Sequence, residues 1–272
     1  MILNVLHKTR YEFAQPVRGV IQSLRLTPAK CDSQKVLAWD IEIPGAVIST
    51  PFRDGAGDLV CTAAIRATVP GIEIIVTGQV ETTDTAGVLR GHRDRVPPRA
   101  YLRGTHRTVA NRAIHDLVAV VQEELGAGSQ LDCAHGLMQA VADALPYRPG
   151  TTEAHTTASE AMAAGAGVCQ DHAHVMISAA LLAGLPARYV SGYLLASEDG
   201  SPHEASHAWA EIYIDNLGWV GFDAANRCCP NDMYIRLGSG LDATDAAPIR
   251  GLVLGDVAEK LDVTVVIEAT QQ

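Results

Sequence analysis

His207-Ala-Trp-Ala-Glu-Ile-Tyr-Ile214, followed by Asp215-Asn-Leu-Gly218 and Trp219-Val-Gly-Phe-Asp223, decides the fold of this chain. The first run alternates with the period of a strand. His207, Trp209, Glu211 and Tyr213 share one face, and Ala208, Ala210, Ile212 and Ile214 share the other. The apolar face reads as core. The polar face has to line something wetter, and a histidine there is a candidate base. Asp215 to Gly218 is a turn, so the two runs form a hairpin in which Trp219, Gly221 and Asp223 share a face. Register then becomes a condition. A four-residue loop pairing Ile214 with Trp219 would put Asp223 and His207 on opposite faces, whereas an odd loop or a bulge puts them together. The expectation is an odd loop or a bulge, with Asp223 opposite Trp209 or Glu211.

Working outward, Val168 or Cys169 should open a helix that runs to Leu182, with Gly184 and Pro186 as its stop. A short helix should precede it, because Thr157 and Glu160 have capping-box spacing and Gly165 ends the run. Val109, Ala113, Leu117, Val121 and Leu125 recur at helical spacing, as do Leu131, Ala134, Leu137, Val141 and Leu145. Both stripes read as core. Further strands are expected near 187–195, 232–236 and 261–268. Residues 84–104 mix Gly, Pro and Arg without a period and read as a linker. Before them, Leu24 to Pro28, Val36 to Ile43 and Ile72 to Val80 are β-rich, with Asp54-Gly-Ala-Gly-Asp58 as turn chemistry. The expected organisation is α+β: a β-rich N-terminal domain over 1–90 and a second domain over 91–272 that includes the C-terminal strands.

The chain has 272 residues, 47% of them hydrophobic, so it can bury a sizeable core. A formal charge of −10 disfavours nucleic acid and anionic membrane surfaces as partners. No stretch approaches the roughly 20 apolar residues of a membrane helix. The N-terminus lacks the pattern of a secretory signal, so a cytoplasmic location is expected. The six cysteines include no CxxC pair, and Cys228 and Cys229 read as packing residues.

Cys169 follows Gly165-Ala-Gly167-Val168 and opens the expected helix. Unpaired N–H groups and the positive end of the helix dipole favour a thiolate there and could hold an oxyanion. Asp171 would oppose the thiolate if it pointed the same way. From this segment alone, a nucleophile and a buried structural cysteine fit equally. Adding His207 as base and Asp223 as its orienter completes the logic of an activated thiol.

The runs Gly167-Val-Cys-Gln-Asp-His-Ala-His174, Gly184-Leu-Pro-Ala-Arg-Tyr-Val-Ser-Gly-Tyr193, His207-Ala-Trp-Ala-Glu211 and Gly218-Trp-Val-Gly-Phe-Asp-Ala-Ala-Asn226 closely resemble the bacterial transglutaminase-like superfamily. His7-Lys-Thr-Arg-Tyr11, Pro16-Val17 and Leu24-Arg-Leu-Thr-Pro28 resemble that family's β-rich N-terminal domain. The resemblance covers nearly the whole chain. It implies a papain-like α+β core and a triad of Cys169, His207 and Asp223. It also implies a peptide or protein amide as substrate, in a family of transglutaminases, peptidases, amidases and peptide N-glycanases. The position after Asp171 is often aromatic in similar sequences and is His172 here.

Around these three, Gln170, Trp209, Glu211 and Asn226 are candidates for oxyanion contacts or for support of the triad. Glu211 is either an acceptor behind the histidine or a solvated carboxylate. Trp209 and Trp219 read as packing platforms, Tyr189 and Tyr193 as core-strand residues, and Asn226 as a cap after Asp223. His155, His172, His174 and His203 could approach the site, but no metal or other cofactor is expected, and no acidic calcium loop is present. A peptidase or amidase is therefore expected. Transfer to an amine and a non-catalytic interaction module remain open beside it, with a metal hydrolase as a fourth reading.

Overall fold

The computed structural model describes residues 1–195, 206–253 and 257–270. In chain order come β1 (Ile2–Leu24), β2 (Gln34–Glu42), β3 (Val47–Ile48), β4 (Phe52–Arg53) and β5 (Leu59–Thr82). Helices α1 (Arg112–Leu125), α2 (Gln130–Ala144), α3 (Ala158–Ala164) and α4 (Cys169–Leu182) follow. Then come β6 (Ala187–Leu194), β7 (Ser206–Ile214), β8 (Gly218–Phe222), β9 (Tyr234–Gly240), β10 (Ile249–Val253) and β11 (Glu259–Ala269). The architecture is α+β with antiparallel sheets. Among the described residues, no helix is long and apolar enough to cross a membrane.

The first sheet is built on two long strands. β1 and β5 pair antiparallel from Ile2↔Glu81 to Leu24↔Cys61, with irregularities near Glu12/Val17 and Arg18/Val20 that bend the ribbon. Of the N-terminal runs read from sequence, Ile72 to Val80 is part of the 24-residue β5, Val36 to Ile43 falls on β2, and Leu24 to Pro28 only touches the end of the 23-residue β1. Alternation along β1 sends Leu3, Val5, His7 and Thr9 inward. The domain division needs a correction. β10 pairs with β1 from Val20↔Val253 to Leu24↔Ile249, and β11 pairs with it from Leu3↔Ala269 to Phe13↔Glu259. The C-terminal strands thus finish the first sheet instead of joining the second domain, so residues 91–248 lie between two halves of one sheet. Periodicity marks a strand but not its partner, which is why the pairing was illegible.

The second sheet has the order β8-β7-β6-β9. The even-numbered face of β7 carries Ala208, Ala210 and Ile212. These pack with Ala173, Met176, Ile177 and Ala180 of α4 in the main apolar cluster. α4 is buried over most of its surface, including its polar residues Asp171, His172, His174 and Ser178. α1 and α2 cover it, although α1 buries Ile114, Val118 and Val121 and leaves Val109 exposed ahead of the helix. The Asn111 cap, which accepts from Ile114 N–H, sets that later start.

The opposite face of the sheet meets the N-terminal domain. Trp209, Val190, Leu194 and Tyr234 form a small apolar cluster there. Gln34 brackets Arg236, donating to its carbonyl at 2.8 Å and accepting from its N–H at 2.9 Å. His7 Nδ1 lies 2.7 Å from Tyr193 Oη, and burial lowers the histidine pKa to about 4, so this interdomain bridge is neutral. The 84–104 linker is partly structured. Val88 bridges to Val220, and Leu89 N–H donates to Trp219 O at 2.9 Å.

Candidate active site

The hairpin meets its register condition with a three-residue loop. Ile214 pairs with Gly218, Tyr213 with Trp219, Glu211 with Gly221 and Ala210 with Phe222. Asn216 and Gly218 take φ of 64° and 91°, the left-handed values that so tight a loop needs. Continuing the ladder sets Asp223 opposite Trp209. His207 Nε2 donates to Asp223 Oδ2 at 2.6 Å.

That carboxylate oxygen is heavily served. Asn226 Nδ2 donates to it at 2.7 Å and Tyr234 Oη at 2.8 Å, while Asn226 N–H donates to Oδ1 at 3.2 Å. Burial alone would raise the Asp223 pKa, but these donors and the imidazole hold it below the usual carboxylate range. The His207 ring is held between Trp209, at 6.3 Å and nearly parallel, and Tyr234, edge-on at 5.9 Å. Burial works against its proton. Hydrogen bonds to Asp223 and to Cys169 outweigh burial and raise its pKa to about 10. With Nε2 on the carboxylate, the other ring nitrogen is left for the thiol.

Cys169 is the first residue of α4 and is half-buried. Asp171 does not face it. Its Oδ2 accepts from Val168 N–H at 2.8 Å and from Thr152 Oγ1 at 2.6 Å, so the carboxylate closes the N-cap and pins a neighbouring loop. His172 Nδ1 lies 2.8 Å from Val168 O and Nε2 lies 2.6 Å from Leu145 O, which ties the start of α4 to the end of α2. His174 accepts from Ala243 N–H, behind the cleft wall, and burial lowers its pKa to about 4. The two histidines therefore serve the backbone. His155 is exposed and lies 3.4 Å from Glu153; His203 falls outside the described residues.

Cys169 and His207 open onto a cleft of about 600 Å³. One wall is the loop from Tyr147 to Ala154, the other is Ala243, Ala247 and Pro248, and Tyr189, Ser191 and Ala208 lie at its base. Arg107 ties the walls together, donating to Ala154 O and to Thr244 Oγ1 at 2.8 Å each.

The supporting residues divide. Asn226 touches both members of the His207–Asp223 pair, its Nδ2 being 3.3 Å from His207 Nε2. Gln170 borders the cleft, but its amide donates to Ala154 O at 3.2 Å. Trp209 is buried on the sheet face away from α4, so it backs the imidazole and does not line the cleft. Glu211 is neither solvated nor in contact with His207. It is 3% exposed and sits between Arg188 Nε at 2.7 Å and Arg236 Nε at 2.8 Å. Arg188 also reaches Asp94, and Arg236 reaches Asp58, each at 2.6 Å. Strand alternation places Glu211 on the His207 face correctly, but the wetter surroundings expected for that face are instead the packed N-terminal domain. Tyr234 is the residue that sequence reasoning missed. It lies on β9, beyond the reach of the hairpin's own pattern, and only the β6–β9 pairing brings it to Asp223.

Residues 119–224 match the transglutaminase-like superfamily, and residues 3–81 match the bacterial transglutaminase-like N-terminal region. An uncharacterized protein of Mycobacterium leprae is 30% identical over 97% of this chain and 98% of its own length. The chain belongs to the transglutaminase-like superfamily. An uncharacterized relative from Mycobacterium tuberculosis is 27% identical over 92% of this chain and 87% of its own. A solved structure from Cytophaga hutchinsonii, provisionally named a cysteine protease, has the same fold. Its TM-score is 0.73 at 20% identity, covering 100% of this chain and 92% of that one.

Proposed function

We propose that this chain is a cysteine-dependent acyl-transfer enzyme that cleaves an amide or peptide bond through a thioester on Cys169. One arrangement carries the reading: Asp223 holds His207 at 2.6 Å, and His207 lines an open cleft together with Cys169, which stands at the start of α4. The raised His207 pKa keeps a proton on the imidazole, ready for a departing amine. The thiolate attacks the carbonyl carbon, and His207 gives its proton to the departing amine. Water, deprotonated by His207, then clears the thioester. Asp223, fixed by Asn226 and Tyr234, keeps the imidazole aimed at the thiol. An amine entering in place of water would make the same site a transglutaminase.

The test is to trap the acyl group. The full chain is incubated with p-nitrophenyl acetate and, separately, with a mixed peptide library, quenched in acid and digested for mass spectrometry. The expected result is an acyl adduct on Cys169 that is absent from Cys169→Ala, with library cleavage by the wild type alone. A Cys169→Ala variant that cleaves peptides as fast as wild type would sink the reading. Adding a labelled primary amine separates the acceptors, since incorporation of label marks transfer to an amine.

A further inference from the structure

The oxyanion of such a reaction needs donors, and the side chains that the sequence offers for it are occupied elsewhere. Gln170 is committed to Ala154 O, and Trp209 lies behind the sheet. β6 supplies another group. Tyr189 pairs with Ala210 and Ser191 with Ala208, so both side chains project to the α4 face. Tyr189 is 5% exposed, its ring lies 5.2 Å from His174, and it borders the cleft together with Cys169 and His207.

Buried tyrosine hydroxyls ordinarily find a partner. Two others in this sheet do: Tyr193 Oη lies 2.7 Å from His7 Nδ1, and Tyr234 Oη donates to Asp223 at 2.8 Å. The Tyr189 hydroxyl forms no hydrogen bond with any other described residue. Ser191, its neighbour on the same face, is occupied, donating to Ala246 O at 2.9 Å. Tyr189 therefore keeps an unused donor at the base of the cleft that holds the nucleophile.

We propose that Tyr189 is a further catalytic residue, whose hydroxyl donates a hydrogen bond to the substrate carbonyl oxygen and to the oxyanion formed when Cys169 attacks. This rests on Cys169 being the nucleophile. In the step, the Sγ–C bond forms and the carbonyl π pair moves onto oxygen. That oxygen is held by Tyr189 and by backbone N–H at the start of α4. The pair then returns, the C–N bond breaks, and the amine leaves with the proton of His207. The tyrosine keeps its own proton throughout. Burial, followed by the negative charge at Cys169, pushes the Tyr189 pKa well above its ordinary value, which secures the donor.

Tyr189→Phe keeps the ring and removes only the donor. Two reactions of the full chain separate its role from packing. Acylation by p-nitrophenyl acetate passes through an oxyanion, while alkylation by iodoacetamide does not. The expected result is acylation slowed by about 10²-fold, the usual scale for one lost oxyanion donor, with alkylation of Cys169 within twofold of wild type. Acylation within twofold of wild type would overturn the proposal. So would parallel losses in both reactions, which would place Tyr189 in the packing around the thiol. Cys169→Ala is run alongside. If it releases nitrophenolate as fast as wild type, the nucleophile itself is wrong, and that failure is distinct from the tyrosine's.

Discussion

His207 and Glu211 lie four residues apart on one face of one strand, and both are titratable and almost fully buried. They end in opposite situations. At the His207 end the face emerges beside the cleft, and the imidazole is fixed by Asp223 and lines the cleft together with Cys169. At the Glu211 end the N-terminal domain closes over the strand. Glu211, Arg188, Arg236, Asp58 and Asp94 then pair with one another, Arg188 leaving Nη2 without a hydrogen bond among the described residues and stacking 4.0 Å from the Trp219 ring. The same strand thus carries one titratable group that opens onto a cleft and one that is sealed in. What separates them is not residue type but what covers the face. A buried ion cluster holds a strand in place, while an imidazole beside a cleft is placed to meet a substrate.

His207→Ala tests the active end and has the largest expected effect. Turnover should fall by about 10⁴-fold, the upper range for removing a general acid–base, while stability falls less than for Glu211→Ala, because Asn226 and Tyr234 still donate to the Asp223 carboxylate. A variant that unfolds with its activity per folded molecule intact would reverse the contrast. Glu211→Ala tests the sealed end. It leaves two buried guanidiniums short of an anion, which should cost about 3–5 kcal/mol of stability, read by chemical denaturation. Activity per folded molecule should fall far less than for His207→Ala. The cluster also predicts an acid limb. Burial would raise the Glu211 pKa, but Arg236 and Arg188 lower it from 4.5 to about 2. Its contribution is therefore complete above about pH 4.5 and is lost as pH falls through about 2. The variant's stability should be flatter over that window.

Tyr234→Phe has the smallest effect and sharpens the boundary between the two ends. It removes one of three donors on Asp223 Oδ2, so kcat/KM should drop roughly three- to tenfold, the scale of one hydrogen bond. His207 must hold its proton to release the amine, and its pKa is about 10. Activity should therefore decline as pH rises through about 10 in both wild type and variant. A decline centred near pH 6.5 in the wild type would mean that the imidazole is not held as an ion pair.

Much of this was legible in the chain because it is local. Gly165 to Val168 announces the start of α4, Thr157 and Glu160 form the expected capping box, and the parity of the hairpin loop follows from asking His207 and Asp223 to meet. What escaped is non-local. Tyr234 reaches Asp223 only through β9, Glu211 finds arginines from β6 and β9, and the last two strands return to β1. Alternation reports which side of a strand is buried, but the identity of the burying partner is set by pairings far away in sequence.

The return of β11 to β1 carries a consequence for how the molecule is made. On the ribosome, Leu3 is synthesised long before Ala269, its partner in the finished ladder. β1 and β5 can form their ribbon early, but the outer side of β1 stays open until nearly the whole chain has been delivered. The first domain to begin folding is then the last to finish. Contacts this distant close slowly and leave an unpaired strand edge exposed meanwhile. The vulnerable moment in this protein's life is thus late in its synthesis, when a bare edge waits for its closing strand.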